Sequence, residues 1–242
     1  MSHDIEKSNQ RVVRALVASA VITGLLYVIP FGSVIAYPLL LLSTLVHELG
    51  HGIAAVLVGG EFTRFALYSD GSGVAYNRLA GGAFAHAFVS AGGLIGPAVC
   101  AGALFALSKY QRATKVGLLL MGGALLLVDL MLVSPISNPF GFFFIGGFAA
   151  LSLWVGLKAK PAVCQFYSMF VAVQLALSVF SRSDYLFVKE ASTGAGLMDS
   201  DVQQIANHLF LPYWFWGGAC GLFSVLVLCA GLYVGLPRSK TT

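Results

Sequence analysis

The chain has 242 residues, of which 58% are hydrophobic and only 10% charged, and its mean hydropathy is +0.85. Soluble domains carry about 25% charged residues, so this composition excludes a soluble globular protein and points to an integral, multi-pass protein surrounded by membrane lipid. The formal net charge of +4 is spread over loops rather than gathered in a run, which reads as membrane topology and implies no nucleic-acid partner.

No polar stretch is long enough to form a separate soluble unit, so one membrane domain is expected over residues 1–242. Its 28 glycines suit helices that pack through small residues. Cys100, Cys164, Cys220 and Cys229 all fall in apolar segments without C-x-x-C spacing, the pattern of small buried hydrophobes.

Apolar runs able to cross about 30 Å of hydrocarbon occupy roughly residues 12–29, 34–58, 82–107, 114–133, 139–157, 162–181 and 212–235. They predict an all-α polytopic fold of six or seven transmembrane helices. The polar segment Met1 to Gln10 precedes the first run, which has no clear small-residue cleavage site and reads as a retained span. Pro30 and Gly32 then separate the first two helices.

The second run carries the chemistry. Pro38 falls near its start, and further along stand His47, Glu48 and His51 in the order H-E-x-x-H. Residues four apart share one face of a helix, so the two imidazoles are spaced to hold one metal ion. In this pattern the histidines bind Zn²⁺ and the glutamate acts as a general base on water activated by the ion. Two histidines and a glutamate inside a membrane span are costly to bury without a function, which strengthens the reading.

From Glu61 to Leu79 the pattern changes to alternation. Phe62, Arg64, Ala66 and Tyr68 interleave with Thr63, Phe65 and Leu67, Asp70-Gly71 supplies a turn, and Val74-Ala75-Tyr76 returns. A short β-hairpin after the metal helix is therefore expected. The third run shows a stripe of small or polar residues, Gly82, His86, Ser90, Gly93 and Pro97, suited to close approach of the metal helix with its Gly50, Gly52, Ala54 and Ala55. His86 itself is open to three roles: a ligand, a proton relay or an interior hydrogen-bonded histidine.

These segments together resemble a known family. Leu45 to His51 followed by Gly59-Gly60, the turn Ser69-Asp70-Gly71-Ser72-Gly73-Val74, and Ala91-Gly92-Gly93-Leu94-Ile95-Gly96-Pro97 resemble the site-2 protease group of intramembrane zinc metalloproteases, the M50 peptidases, and most closely their M50B-like branch. The resemblance covers roughly residues 35 to 215 and is strongest up to about residue 100. It implies a zinc-dependent intramembrane endopeptidase that cleaves membrane-protein substrates, with the hairpin receiving substrate as an added strand.

The fourth run is apolar except for Asp129, and a carboxylate inside a span needs a partner such as the metal or a neighbouring helix. After it comes Asn138-Pro139-Phe140-Gly141. The segment resembles the family motif whose Asp is the third zinc ligand, but Phe140 occupies the carboxylate's place and phenylalanine cannot ligate zinc. The third ligand is therefore expected at Asp129, with Asn138 and then Asp184 as alternatives, and Asn138 is assigned to substrate binding. The long polar loop Ser181 to Leu211 contains Asp201 to His208, which can form a short amphipathic surface helix capped by Ser200 or Asp199. Pro212 to Trp216 form an interfacial aromatic belt that opens the last span.

The expected site is thus Glu48 as base, His47, His51 and Asp129 on zinc, and Asn138 on substrate. Two other functions fit parts of the pattern. Phe140 suits a non-proteolytic membrane protein that retains a metal helix. A metal or proton transporter would place His47, His51, Asp129 and His86 along its path, although no internal repeat of the kind many transporters carry is evident.

Overall fold

The computed structural model describes residues 2–181, 186–193 and 196–236. Helix α1 (Ser2–Val28) ends before Pro30, and Phe31 turns the chain through a left-handed conformation, φ 62°, into α2 (Gly32–Leu57). Pro38 lies inside α2, about two turns from its start, so the Val34 carbonyl has no helical N–H to accept from. The metal helix thus begins earlier than the apolar run suggests.

The expected hairpin follows as β1 (Glu61–Leu67) and β2 (Gly73–Arg78), antiparallel, with Leu67 opposite Gly73 and Arg64 opposite Tyr76. Helices α3 (Ala83–Leu107), α4 (Gln111–Leu132), α5 (Pro139–Lys158) and α6 (Pro161–Ser181) come next. A second small hairpin, β3 (Glu190–Thr193) and β4 (Gly196–Asp199), stands in the polar loop before α7 (Asp201–His208) and α8 (Tyr213–Gly235). This hairpin was not foreseen, because its short strands lack a clear alternation of apolar residues.

Helices α2, α3, α4, α5, α6 and α8 are each long and apolar enough to cross a membrane, and α1 contributes a shorter apolar stretch, Val12–Leu26. The chain is an integral, multi-pass membrane protein. Its outward residues fit that setting: Leu57, Leu120, Leu130 and Phe143 are exposed and apolar, as a lipid-facing surface requires.

Helix α3 packs against α2, α6, α7 and α8. The approach of α2 to α3 is close enough to require glycine, since a Cβ at Gly50 would collide with the Gly92 carbonyl and one at Gly93 with the His51 ring. The small-residue stripe of the third run therefore does meet the metal helix, although Gly52 faces Phe62 of β1 instead. On the opposite side of α2, Leu41 and Leu45 pack with Phe65, Leu67 and Ile145, which buries the inner face of the hairpin between α2 and α5. The four cysteines are free; Cys164 and Cys220 are buried, while Cys229 is exposed.

Candidate metal centre

Helical periodicity puts Thr44, His47, Glu48 and His51 toward one side of α2, as the spacing predicts. The Nε2 atoms of His47 and His51 lie 3.2 Å apart. His51 Nδ1 is 2.8 Å from the Val89 carbonyl oxygen on α3. A carbonyl can only accept, so Nδ1 carries a proton, and Nε2 is the nitrogen turned toward His47 and Asp201. Buttressing of this kind, from the far nitrogen of an imidazole, is usual for metal-binding histidines.

The third member of the cluster is Asp201, the first residue of α7. Its Oδ2 is 3.0 Å from His47 Nε2 and its Oδ1 is 3.3 Å from His51 Nε2. Burial opposes ionisation of this carboxyl, but the charge of His51 and hydrogen bonds from both histidines outweigh it and hold the group well below the usual carboxylate range. Asp201 reaches this place because α7 is anchored at both its core face and its cap. Val202 and Ile205 pack with Ala87, Leu94 and Cys220. Ser200, fully buried, accepts from Gln203 N at 3.3 Å and donates to the Val188 carbonyl at 2.6 Å.

Among the described residues, His47, His51 and Asp201 form the group able to hold a metal ion, with one donor atom from each lying within 4.8 Å of the others. Lone pairs of three such donors aimed at one spot repel unless a proton or a cation lies between them. Two imidazoles and a carboxylate are also a common donor set for zinc. The residues therefore fit the metal that H-E-x-x-H implies.

Glu48 lies beside the cluster and is largely buried, with Oε2 accepting a hydrogen bond from Ala75 N of β2 at 2.8 Å. Two cavities, of about 210 and 270 Å³, meet at this place and share His47, Glu48, Gly73, Ala191 and Thr193 in their walls. The second hairpin thus borders the site across from β2.

The other expected residues lie elsewhere. Asp129 is buried between α4 and α5, where a Cβ added at Gly146 would lie 2.9 Å from its Oδ2, and it does not belong to the histidine cluster. Among the described residues, the carboxylate grouped with the two histidines is that of Asp201, whereas Asp129 faces Gly146 of α5. Asn138 is also outside the cluster, with its amide spent on the backbone of Leu67. Phe140 packs with Leu41, Leu45 and Phe65. Asp184 lies outside the described residues. His86 lines the second cavity and stacks on His208, ring centroids 4.7 Å apart.

Asp201 escaped the sequence reading although its helix and its serine cap were both visible. The available signal was an acid directly after the cap, which a solvated surface helix shows equally often.

A family model described as Peptidase M50B-like matches residues 17–231. The chain belongs to the M50B-like peptidase family. No curated protein and no solved structure matches it. As an M50B-like peptidase it is, at the level of the family, a membrane-embedded metallopeptidase, and M50 peptidases generally depend on zinc and act on membrane proteins in a lipid environment.

Proposed function

We propose that this M50B-like peptidase is a zinc-dependent intramembrane endopeptidase that hydrolyses peptide bonds in or next to the transmembrane segments of membrane proteins. The observation that carries the reading is the convergence of His47, His51 and Asp201 beside Glu48, in the wall of a cavity bordered by α2, α3, α7 and both hairpins. His47, His51 and Asp201 would hold the ion. When bound, zinc supplies Lewis acidity, polarising a carbonyl and lowering the pKa of water.

The remaining work falls to the chain itself. Glu48 takes a proton from the attacking water and returns it to the leaving amine, within reach of both because it lines the cavity. Ala75 N–H holds one carboxylate oxygen and so fixes the direction in which the base points. Strand β2 borders the same cavity and offers an edge along which an extended substrate segment can lie. The helices and hairpins around the cavity would keep lipid away from the reacting groups.

Asp201 bears on the choice between this reading and a non-proteolytic metal protein. The latter drew its support from Phe140 in the place of a ligand; the carboxylate from α7 beside the two histidines supports the peptidase reading instead. Glu48→Gln tests the mechanism: the amide keeps the size of the side chain but cannot accept the proton. Cleavage of a membrane substrate in liposomes should be lost while about one zinc per chain is retained. Normal turnover in Glu48→Gln would overturn the reading.

A further inference from the structure

Asn138 occupies the N-cap of α5, where asparagine ordinarily bonds the first free N–H groups of the helix, yet its side chain makes no cap hydrogen bond. The amide reaches out of the helix instead. Its Nδ2 donates to the Leu67 carbonyl at 3.0 Å and its Oδ1 accepts from Leu67 N at 3.3 Å. Asn138 is buried, so both bonds are shielded from water. One donor and one acceptor facing one residue's N–H and C=O reproduce what a neighbouring strand would offer.

Leu67 is the end of β1, and its cross-strand partner is Gly73 of β2. Gly73 lies against the base: a Cβ there would come 2.8 Å from Glu48 Cγ and 2.9 Å from the Thr44 methyl. Two residues on, Ala75 N–H bonds the Glu48 carboxylate. The adjoining residue of the same turn adds a second tie, with Arg64 of β1 donating to Ser137 Oγ at 2.9 Å. The turn of the hairpin is held from α2, by Tyr37 Oη on the Ser69 carbonyl and Thr44 Oγ1 on the Gly71 carbonyl. The hairpin is thus gripped by α2 at its turn and at β2, and by the α4–α5 junction along β1.

We propose that Asn138 is a positioning residue that holds strand β1, and through it sets strand β2 against Glu48. It contacts neither the metal cluster nor the cavity that β2 borders, so it acts through Leu67, Gly73 and Ala75. The catalytic consequence rests on the peptidase reading above, whereas the grip on the hairpin does not. Asparagine suits the role by its chemistry. An aspartate offers only acceptors and would repel the Leu67 carbonyl, and a leucine of the same branched shape offers no bond at all.

Hydrogen–deuterium exchange of the zinc-loaded protein in detergent, with zinc titration and cleavage kinetics on the same preparations, tests the proposal. In Asn138→Leu, exchange across residues 61–78 should rise about tenfold or more, while α3 and α8 exchange as in the parent. Zinc affinity should stay within about twofold, since no ligand is altered, and kcat should fall more than KM rises, because the base rather than binding is disturbed. Asn138→Asp, whose carboxylate repels the Leu67 carbonyl, should raise exchange in the same segment at least as much. Unchanged exchange over 61–78 in both variants would overturn the proposal. A rise spread equally over all helices in both would also overturn it, because Asn138 would then support the whole fold. A rise confined to 61–78 in a protein whose parent cleaves nothing would uphold the grip on the hairpin and sink the peptidase reading alone.

Discussion

Glu48 Oε2 on α2 lies 2.8 Å from the backbone nitrogen of Ala75 on β2, so the carboxylate beside the histidine–aspartate cluster is tethered by the strand that borders the same cavity. On the proposed reading, the base on this flexible side chain is held by an element that a substrate strand would meet. The arrangement couples the direction of the base to the position of the hairpin.

Gly73 is the point where this coupling can be broken without touching a ligand. Its absent side chain leaves room for Glu48 Cγ and the Thr44 methyl. Gly73→Val should displace Glu48 from Ala75 and lower kcat by about tenfold or more, with zinc content unchanged. Steady-state kinetics with metal analysis on one sample checks it, and a variant with parental kcat would show that the packing at Gly73 is dispensable.

Asp201 should matter to the metal itself. Asp201→Ala removes one of three donors and should weaken zinc binding by about tenfold or more, the scale on which changes at metal sites act. Competition with a chelator of known affinity measures the change. The same variant frees α7 from α2, so exchange at Asp201 to His208 should rise when zinc is removed from the parent as well.

Asp129 should behave in the opposite way. It is buried against Gly146 on α5 and lies apart from the histidines. Asp129→Asn preserves shape and should leave zinc affinity as in the parent. A tenfold loss in the same chelator assay would return Asp129 to the metal site.

Ser200 gives a test of how α7 presents its carboxylate. The hydroxyl caps the helix and ties it to Val188. Ser200→Ala should lower stability by about 0.5–2 kcal/mol, the usual effect of losing a cap, and should weaken zinc binding through a looser Asp201. Ser200→Thr keeps the hydroxyl and should recover much of the affinity. Equal losses in both variants would mean that the buried space at Ser200, not its hydrogen bonds, sets the position of Asp201.

The membrane spans, the H-E-x-x-H face and the first hairpin were legible in the sequence because each depends on short-range order. Hydropathy over some twenty residues decides whether a helix can cross lipid, helical periodicity alone brings His47 and His51 to one side, and alternation with a turn at Asp70-Gly71 specifies β1 and β2. The partners of those elements depend on how helices rotate and pack, which no local pattern encodes. Asp129 shows that a carboxylate inside a span can be seen in the sequence while the direction it faces cannot, since packing of α4 on α5 turned it to Gly146. Asn138 could be seen in a motif, but Leu67, far away in the chain, took both ends of its amide. Asp201 came to the histidines only because Val202 and Ile205 bury against α3 and α8 and Ser200 fixes the start of α7. The two histidines and Glu48 are thus a property of one helix, whereas the third member of the cluster arrives only once distant segments have buried their apolar faces together.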